Sequence, residues 1–366
     1  MNTAFKLMKF LVLAIFILQT KGTVHAQQQL PVVKGLKDVY ASFFPIGVAV
    51  MPQSLRDTAE VALILKHFNS LTPENAMKMG VIHPDENRYY WKAADSIVAF
   101  AQAHGLKVRG HNLCWHEHTP KWLFYDKDGK LVTKDVLLKR LKDHIDQVVG
   151  RYKGKVYAWD VVNEAVADDS TQFLRNSLWY KICGDEFITK AFEYAHAADP
   201  QAILFYNDYN TERPEKRERV YKLLKKLLDA KIPVNAVGLQ GHWSIDEPGE
   251  QDLVAAIQKF SSLGLKVQIT ELDLSVYPWE KERRALRDGE STAFTSDLEN
   301  KQADQYAMAF KVFRKFKNVI SGVTFWNISD RFTWLDTYPV KGRKNYPLLF
   351  DQKLQPKKAY WEVVKF

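Results

Sequence analysis

YAWDVVNEAV, residues 157–166, opens as an apolar, β-branched run and closes on Asn163 and Glu164. The first half has the composition of a strand buried on both faces, as strands of a parallel sheet are. The second half is a polar pair that a core does not hold without partners, because burying an unsatisfied amide or carboxylate costs several kcal/mol in order of magnitude. The strand therefore stops where the scaffold ends and a working surface begins.

The same break recurs along the chain. PIGVAV, FNSLTPEN, KVRGHNLCWH, AILFYNDYN, AVGLQGHW, KVQITELDL and SGVTFWNISD each begin apolar and most close on polar tips, which with YAWDVVNE makes eight strand candidates. Between them lie stretches with apolar residues every three or four positions, such as Leu137, Leu141, Ile145 and Val148, or Val220, Leu224, Leu227 and Leu228. That spacing marks helices burying one face. Thr133 and Pro214 stand where such helices begin, and Gly264 and Pro200 where they stop. Eight consecutive βα units predict a single (β/α)8 TIM barrel over residues 30–366, with functional side chains at the C-terminal ends of the strands. An open doubly wound sheet is the other arrangement of such units, but its glycine-rich phosphate turn is missing after PIGVAVMPQS. The longest connection without an evident strand or helix is residues 275–300, a length at which loops tend to be functional or disordered. Tyr277 and Trp279 at its start are placed to face a ligand.

Residues 1–26 differ from the rest. Lys6 and Lys9 precede the apolar run FLVLAIFIL, and Val24-His25-Ala26 offers small residues for cleavage, so the segment reads as a signal peptide and the mature chain as periplasmic or extracellular. The run is too short to span a bilayer, for which about 20 apolar residues are needed. The net charge of +9 is spread along 366 residues and sits on no recognisable nucleic-acid module, which argues against a nucleic-acid partner. Cys114 and Cys183 are the two cysteines; they are expected as buried thiols, with one bridge the alternative in an oxidising compartment. A monomer is expected.

Collected at the strand tips are Glu74, Asn75, His111, His116, Asn163, Glu164, Asn207, Asp208, Gln240, His242, Glu271, Asp273, Asn327 and Asp330, with Trp115, Trp243, Trp326 and Trp334 among them. Carboxylates, amides and indoles around one mouth suit a sugar polymer, whose rings offer apolar faces to stack and hydroxyls to bond. Two glutamates on different strands supply the acid and nucleophile of glycoside cleavage, provided their neighbours split their pKa values. A single glutamate at a strand end would read as an ion pair or cap; the whole set does not.

The motifs TPENAMKM (72–79), RGHNLCWH (109–116), WDVVNEAV (159–166), FYNDYN (205–210), GLQGHW (238–243), ITELDL (269–274) and TFWNISD (324–330) together resemble the endo-1,4-β-xylanases of glycoside hydrolase family ten, over essentially the whole chain after residue 26. The resemblance implies retaining hydrolysis of xylan and xylo-oligosaccharides through a covalent glycosyl-enzyme, with no cofactor and no metal. It makes Glu164 the acid/base and Glu271 the nucleophile, their carboxyls about 5–5.5 Å apart. It gives Asn163 the 2-hydroxyl of the reacting sugar, Gln240 the orientation of Glu164, and His242 a bridge from Glu271 to Asp273. Glu74, Asn75, Lys78, His111 and Trp115 would bind the sugars on the glycone side, with Trp326 and Trp334 as walls that admit xylose and crowd glucose. Two departures stand out: WHEHTP, where the family often has WHSQTP, and WNISD, where it often has WGVSD. Competing readings are a β-1,4-glucanase or mixed xylanase/cellobiosidase on the same barrel, a non-catalytic xylan-binding protein, and a metal-dependent hydrolase using His111, His116 and His118.

Overall fold

The apolar runs form strands β1 (Ile46–Val50), β2 (Ser70–Pro73), β3 (Lys107–Trp115), β4 (Ala158–Asn163), β5 (Ile203–Asp208), β6 (Ala236–Leu239), β7 (Lys266–Ser275) and β8 (Ile320–Phe325). The computed structural model describes residues 34–280 and 282–366, so the expected signal peptide at 1–26 lies outside the described residues. Each strand pairs in parallel with the next, and β8 pairs with both β7 and β1, closing the sheet into the expected (β/α)8 barrel.

Alternation along β4 shows how sequence becomes two faces. Trp159 and Val161 join the large apolar cluster shared with the helices, as does Val162 where a register shift after Asp160 interrupts the alternation, whereas Ala158 joins a separate small cluster with Phe205 and Ala236. Successive strand side chains point to opposite faces, so Asp160 shares the inner face with Ala158. There it pairs with Arg109 of β3, whose guanidinium also lies 4.8 Å from the Phe205 ring centroid. The register that sets His111 opposite Asp160 and Gly110 opposite Trp159 makes this possible. A Cβ on Gly110 would run into the Trp159 indole, so the close approach of the two strands requires glycine there.

The helices follow their apolar spacing. Leu137, Leu141, Ile145 and Val148 are buried on Lys134–Arg151, which Thr133 caps by accepting from the Val136 amide at 3.4 Å. Pro214 opens Pro214–Asp229, where its missing N–H costs nothing. Each fully buried Leu or Val on such a face contributes roughly 1.5–3 kcal/mol. No helix among the described residues is long and apolar enough to cross a membrane. Cys114 and Cys183 are buried free thiols.

Two segments differ from the sequence expectation. AVGLQGHW is not one strand: β6 ends at Leu239, the chain turns at Gly241 with φ 82°, and His242–Ser244 resumes as a short strand beside β7. Only glycine adopts that φ without strain, and the turn carries His242 opposite Asp273. Residues 275–300 are not without secondary structure either. Arg284–Ala285 pairs in parallel with Val340–Lys341, and the helix Ser296–Lys315 begins before residue 300. Arg284 and Arg343 clamp the segment by binding Glu280 and Glu290 together; the contacts of Arg343 come from too far along the chain to be read from local pattern.

Candidate active site

Glu164 is the first residue past β4 and turns into the left-handed region, φ 57°. That conformation costs a non-glycine residue about 1–2 kcal/mol, and the Glu164 amide is held in it by the Asn207 carbonyl at 2.9 Å. The turn sends the carboxyl toward three donors: Trp115 Nε1 at 2.8 Å on Oε2, and Gln240 Nε2 at 2.9 Å and Asn163 Nδ2 at 3.1 Å on Oε1. Burial, reinforced by the negative charge of Asp208, nevertheless pushes the Glu164 pKa up to about 7, against the pull of those donors. A carboxyl poised there holds a proton that it can give and take back near neutrality.

Glu271 lies within β7 and its environment does the opposite. Burial alone would raise its pKa, but the charges of His111 and His242 and the hydrogen bonds of His242 and Asn207 outweigh it and draw the carboxyl down to about 2. Asn207 Nδ2 donates to Oε1 at 2.7 Å, and His242 Nε2 stands 3.3 Å from Oε2. The other His242 nitrogen is 3.0 Å from Asp273 Oδ2, which also accepts from Trp334 Nε1 at 2.8 Å. Burial disfavours a charged His242, yet the charge and hydrogen bond of Asp273, with those of Glu271, raise it to about 10. His111 is fixed by Asp160, 2.8 Å from its Nδ1.

The two carboxyls belong to one hydrogen-bonded network. Asn163 Oδ1 accepts from Asn207 at 2.8 Å and from Gln240 at 3.4 Å, so the Glu164 and Glu271 sides share Asn207 and Asn163. Asn207 is itself fixed by Thr270, whose hydroxyl donates to it at 2.6 Å, and a Cβ at Gly238 would displace it.

Around this centre runs a cleft of about 430 Å³ lined by every residue to which the resemblance gave a role except Asp273, which is bound to His242; of the other strand-tip residues, His116, Asn207, Asp208, Trp243, Asn327 and Asp330 lie outside its lining. Glu74 accepts from Asn75 and Asn327, each at 3.2 Å, and Lys78 donates to Asn75 at 2.9 Å. Burial raises the Glu74 pKa and lowers that of Lys78, each opposed by the other's charge. Lys78 Nζ stands 5.1 Å from the Trp115 ring, the His118 ring stacks on Trp115 at 5.4 Å, and Trp326 meets His111 edge-on at 5.2 Å. Asn327, the residue that departs from WGVSD, takes a φ of 138° and binds Glu74, so its side chain supplies a contact glycine could not.

His111, His116 and His118 do not converge. His111 is bound to Asp160, His118 stacks on Trp115, and His116 meets Trp115 edge-on and lies 3.9 Å from Glu117. The one grouping with metal-ligand spacing among the described residues is His111, Asp160 and Glu271, and Arg109 already occupies that Asp160. The cleft also gathers residues given no role from the sequence: Tyr209, Asn210, Glu117, Arg283 and Tyr338. Tyr209 stood in FYNDYN beside Asp208, so its placement was within reach of the motif; Arg283 and Tyr338 carried no such signal.

Comparison with known proteins agrees with this arrangement. The model of Glycosyl hydrolase family 10 matches residues 35–366. The chain is 50% identical over 334 residues to a β-1,4-xylanase of Dictyoglomus thermophilum, covering 91% of each chain. It is 48% identical to an endo-1,4-β-xylanase of Geobacillus stearothermophilus, covering 91% of this chain and 98% of the other. The crystal structure of a Paenibacillus barcinonensis xylanase superposes with a TM-score of 0.87 at 44% identity, covering 92% of this chain and 99% of that one. With its barrel, its motifs and a family match running from residue 35 to the last residue, the chain belongs to glycosyl hydrolase family 10.

Proposed function

We propose that this glycoside hydrolase is an endo-1,4-β-xylanase, cleaving internal xylosidic bonds of xylan and xylo-oligosaccharides with retention of anomeric configuration. The observation that carries the reading is the family match over residues 35–366 together with two carboxyls in one hydrogen-bonded network, Glu164 facing Trp115, Gln240 and Asn163 and Glu271 facing Asn207 and His242, an arrangement that pushes Glu164 up to about 7 and Glu271 down to about 2. Divergent pKa values in a carboxyl pair assign acid and nucleophile. Near neutrality Glu271 is ionised and attacks C1 while Glu164 passes its proton to the departing glycosidic oxygen, so the C1–O bond breaks and a glycosyl ester forms on Glu271. Water then attacks C1, gives its proton to Glu164, and returns Glu271 to the carboxylate.

The supporting residues follow from their contacts. Gln240 aims Glu164, and His242, held by Asp273, aims Glu271 and favours its ionised form. Asn163 has its carbonyl oxygen taken by Asn207 and Gln240 and one amide hydrogen by Glu164, which leaves its second N–H for the sugar's 2-hydroxyl. Glu74, Asn75, Lys78, His111 and Trp115 bind the adjoining sugars, and Trp326 and Trp334 bound the reacting ring. The indole of Trp334, pinned to Asp273, crowds a hydroxymethyl group and so favours xylose over glucose. Both carboxyls of the pair are present, which speaks against a receptor that binds without cleaving. Residues 1–26 direct export, placing the enzyme where polymeric xylan is met.

The test compares wild type with Glu271→Ala on purified xylan, carboxymethyl cellulose and mixed-linkage glucan, following reducing ends and the anomer first released by NMR. Wild type should act chiefly on xylan and release the β-anomer, and the variant should lose about 10⁴-fold or more. Substantial turnover by the variant, or release of the α-anomer, refutes the assignment of Glu271.

A further inference from the structure

The segment after β7 is anchored by ion pairs and carries an arginine, Arg283, into the cleft outside them. Arg284 binds Glu280 through Nε at 2.6 Å and Nη2 at 3.0 Å, and Glu290 through Nη1 at 2.7 Å and Nη2 at 2.8 Å. Arg343 reaches the same two carboxylates. Two guanidiniums and two carboxylates thus satisfy one another, and the pairing of Arg284–Ala285 with Val340–Lys341 fixes the backbone beside them. Arg283, the preceding residue, takes no part. Its guanidinium carbon lies 4.8 Å from the Tyr338 ring centroid, the side chain is exposed and lines the cleft, and among the described residues no carboxylate lies within 4.0 Å of it.

The surroundings make that cation distinctive. The other charged groups lining the cleft are Glu74, Glu117, Glu164, Glu271, Lys78 and His242; both other cations are already engaged, Lys78 buried and bonded to Asn75, His242 held between Glu271 and Asp273. Tyr338 stacks on Trp334 at 5.2 Å and is tilted against Trp279 at 6.0 Å, so the aromatic shelf under Arg283 is continuous with the wall of the reacting site. A guanidinium over an aromatic ring keeps N–H donors free, and its planar fork loses little entropy in binding a planar anion. An unadorned xylan chain is neutral and offers this fork only hydroxyls. A uronic acid linked to the chain offers a carboxylate, the partner a guanidinium binds bidentately.

We propose that Arg283 is a specificity residue, receiving the carboxylate of a uronic-acid side group on the xylan chain at the Trp334 side of the cleft. The proposal rests on the xylanase reading above and adds the class of decorated substrate that the site prefers. The attraction works at the rim, so it acts mainly through KM and weakens as salt rises.

The experiment uses xylo-oligosaccharides bearing a single glucuronate and the same compounds after reduction of the carboxyl to a neutral hydroxymethyl group, with linear xylan alongside. The quantity read is the ratio of kcat/KM for the acidic form to that for the reduced form, in wild type, Arg283→Gln and Arg283→Lys. Wild type should favour the acid; Arg283→Gln should lower the ratio about threefold to tenfold, Arg283→Lys less, and high salt should shrink the difference. A ratio that is the same in wild type and Arg283→Gln overturns the proposal. So does a loss in Arg283→Gln equal for acidic and reduced substrates, which would mean that the arginine serves the loop or the sugar chain itself. If wild type fails on linear xylan as well, the xylanase reading falls and the inference falls with it, an outcome the linear arm keeps distinct from the other two.

Discussion

Replacing Gln240 by leucine should move the alkaline limb of the pH–rate profile upward. Gln240 is buried, and its amide gives Glu164 Oε1 one of three hydrogen bonds, at 2.9 Å; Trp115 and Asn163 supply the other two. Hydrogen bonds to a carboxylate stabilise its ionised form, so removing one leaves the protonated form relatively favoured and the pKa higher. A bond to a charged group contributes about 1.5–3 kcal/mol and its neutral counterpart about 1 kcal/mol, leaving a difference of roughly 1 kcal/mol between the two protonation states. At 1.36 kcal/mol per pKa unit that is a rise of about 0.7 unit from a starting value of about 7. Cleavage needs Glu164 protonated, so kcat/KM falls as pH rises through this value and the variant should keep its activity to higher pH relative to its own maximum. Leucine leaves no orphaned acceptor, because Asn163 Oδ1 still accepts from Asn207 at 2.8 Å and Glu164 Oε1 from Asn163 at 3.1 Å. The assay is kcat/KM for an unactivated xylo-oligosaccharide over a pH series, since a phenol leaving group would bypass the proton and hide the limb. The maximum should drop by no more than about tenfold, the penalty of a loosened but present acid. An alkaline limb that stays in place or moves down refutes the claim that Gln240 acts on Glu164 through this bond.

Other consequences are open to measurement. Glu164 has a folded pKa of about 7 against an ordinary 4.5, so the native state holds the proton more tightly than the unfolded chain. The stability this represents is full below the ordinary value and is lost as pH rises through about 7, an amount of about 3 kcal/mol. Glu164→Gln should therefore melt higher than wild type at about pH 8 and lose that advantage near pH 4; a gap independent of pH counts against it. Arg109→Met should cost about 3–5 kcal/mol in chemical denaturation, because both side chains of the Arg109–Asp160 pair are fully buried and the carboxylate would be left with His111 alone. Trp334→Ala should raise the kcat/KM of aryl cellobiosides relative to aryl xylobiosides by about tenfold, while an unchanged ratio would remove this indole as the source of selectivity.

What the sequence made legible and what it hid divide along one physical line. Glu164 and Glu271 stood out as candidates because each ends or interrupts an apolar run, a local break in period that needs no knowledge of neighbours, and the family motifs around them supplied their expected roles. The barrel could be read for the same reason, eight times over. The partners that give those glutamates opposite pKa values are of another kind. Asn207 stands at the tip of β5, plainly polar, yet nothing local says that it reaches Asn163 on one side and Glu271 on the other; that depends on the closure of the ring and on glycine at 238. Asp160 sits inside an apolar strand and finds Arg109 only through the β3–β4 register. His242 was visible in GLQGHW, but its seat opposite Asp273 comes from the turn at Gly241. The arm after β7 looked featureless because its anchors are ion pairs spanning residues 280 to 343, and Arg283 gains meaning only once Arg284 and Arg343 are seen to have used the nearby carboxylates. Chemistry that lives in one residue type at one strand end is written in the local sequence; the tuning of that chemistry lies in contacts between strands, where register and closure, not composition, decide which groups meet.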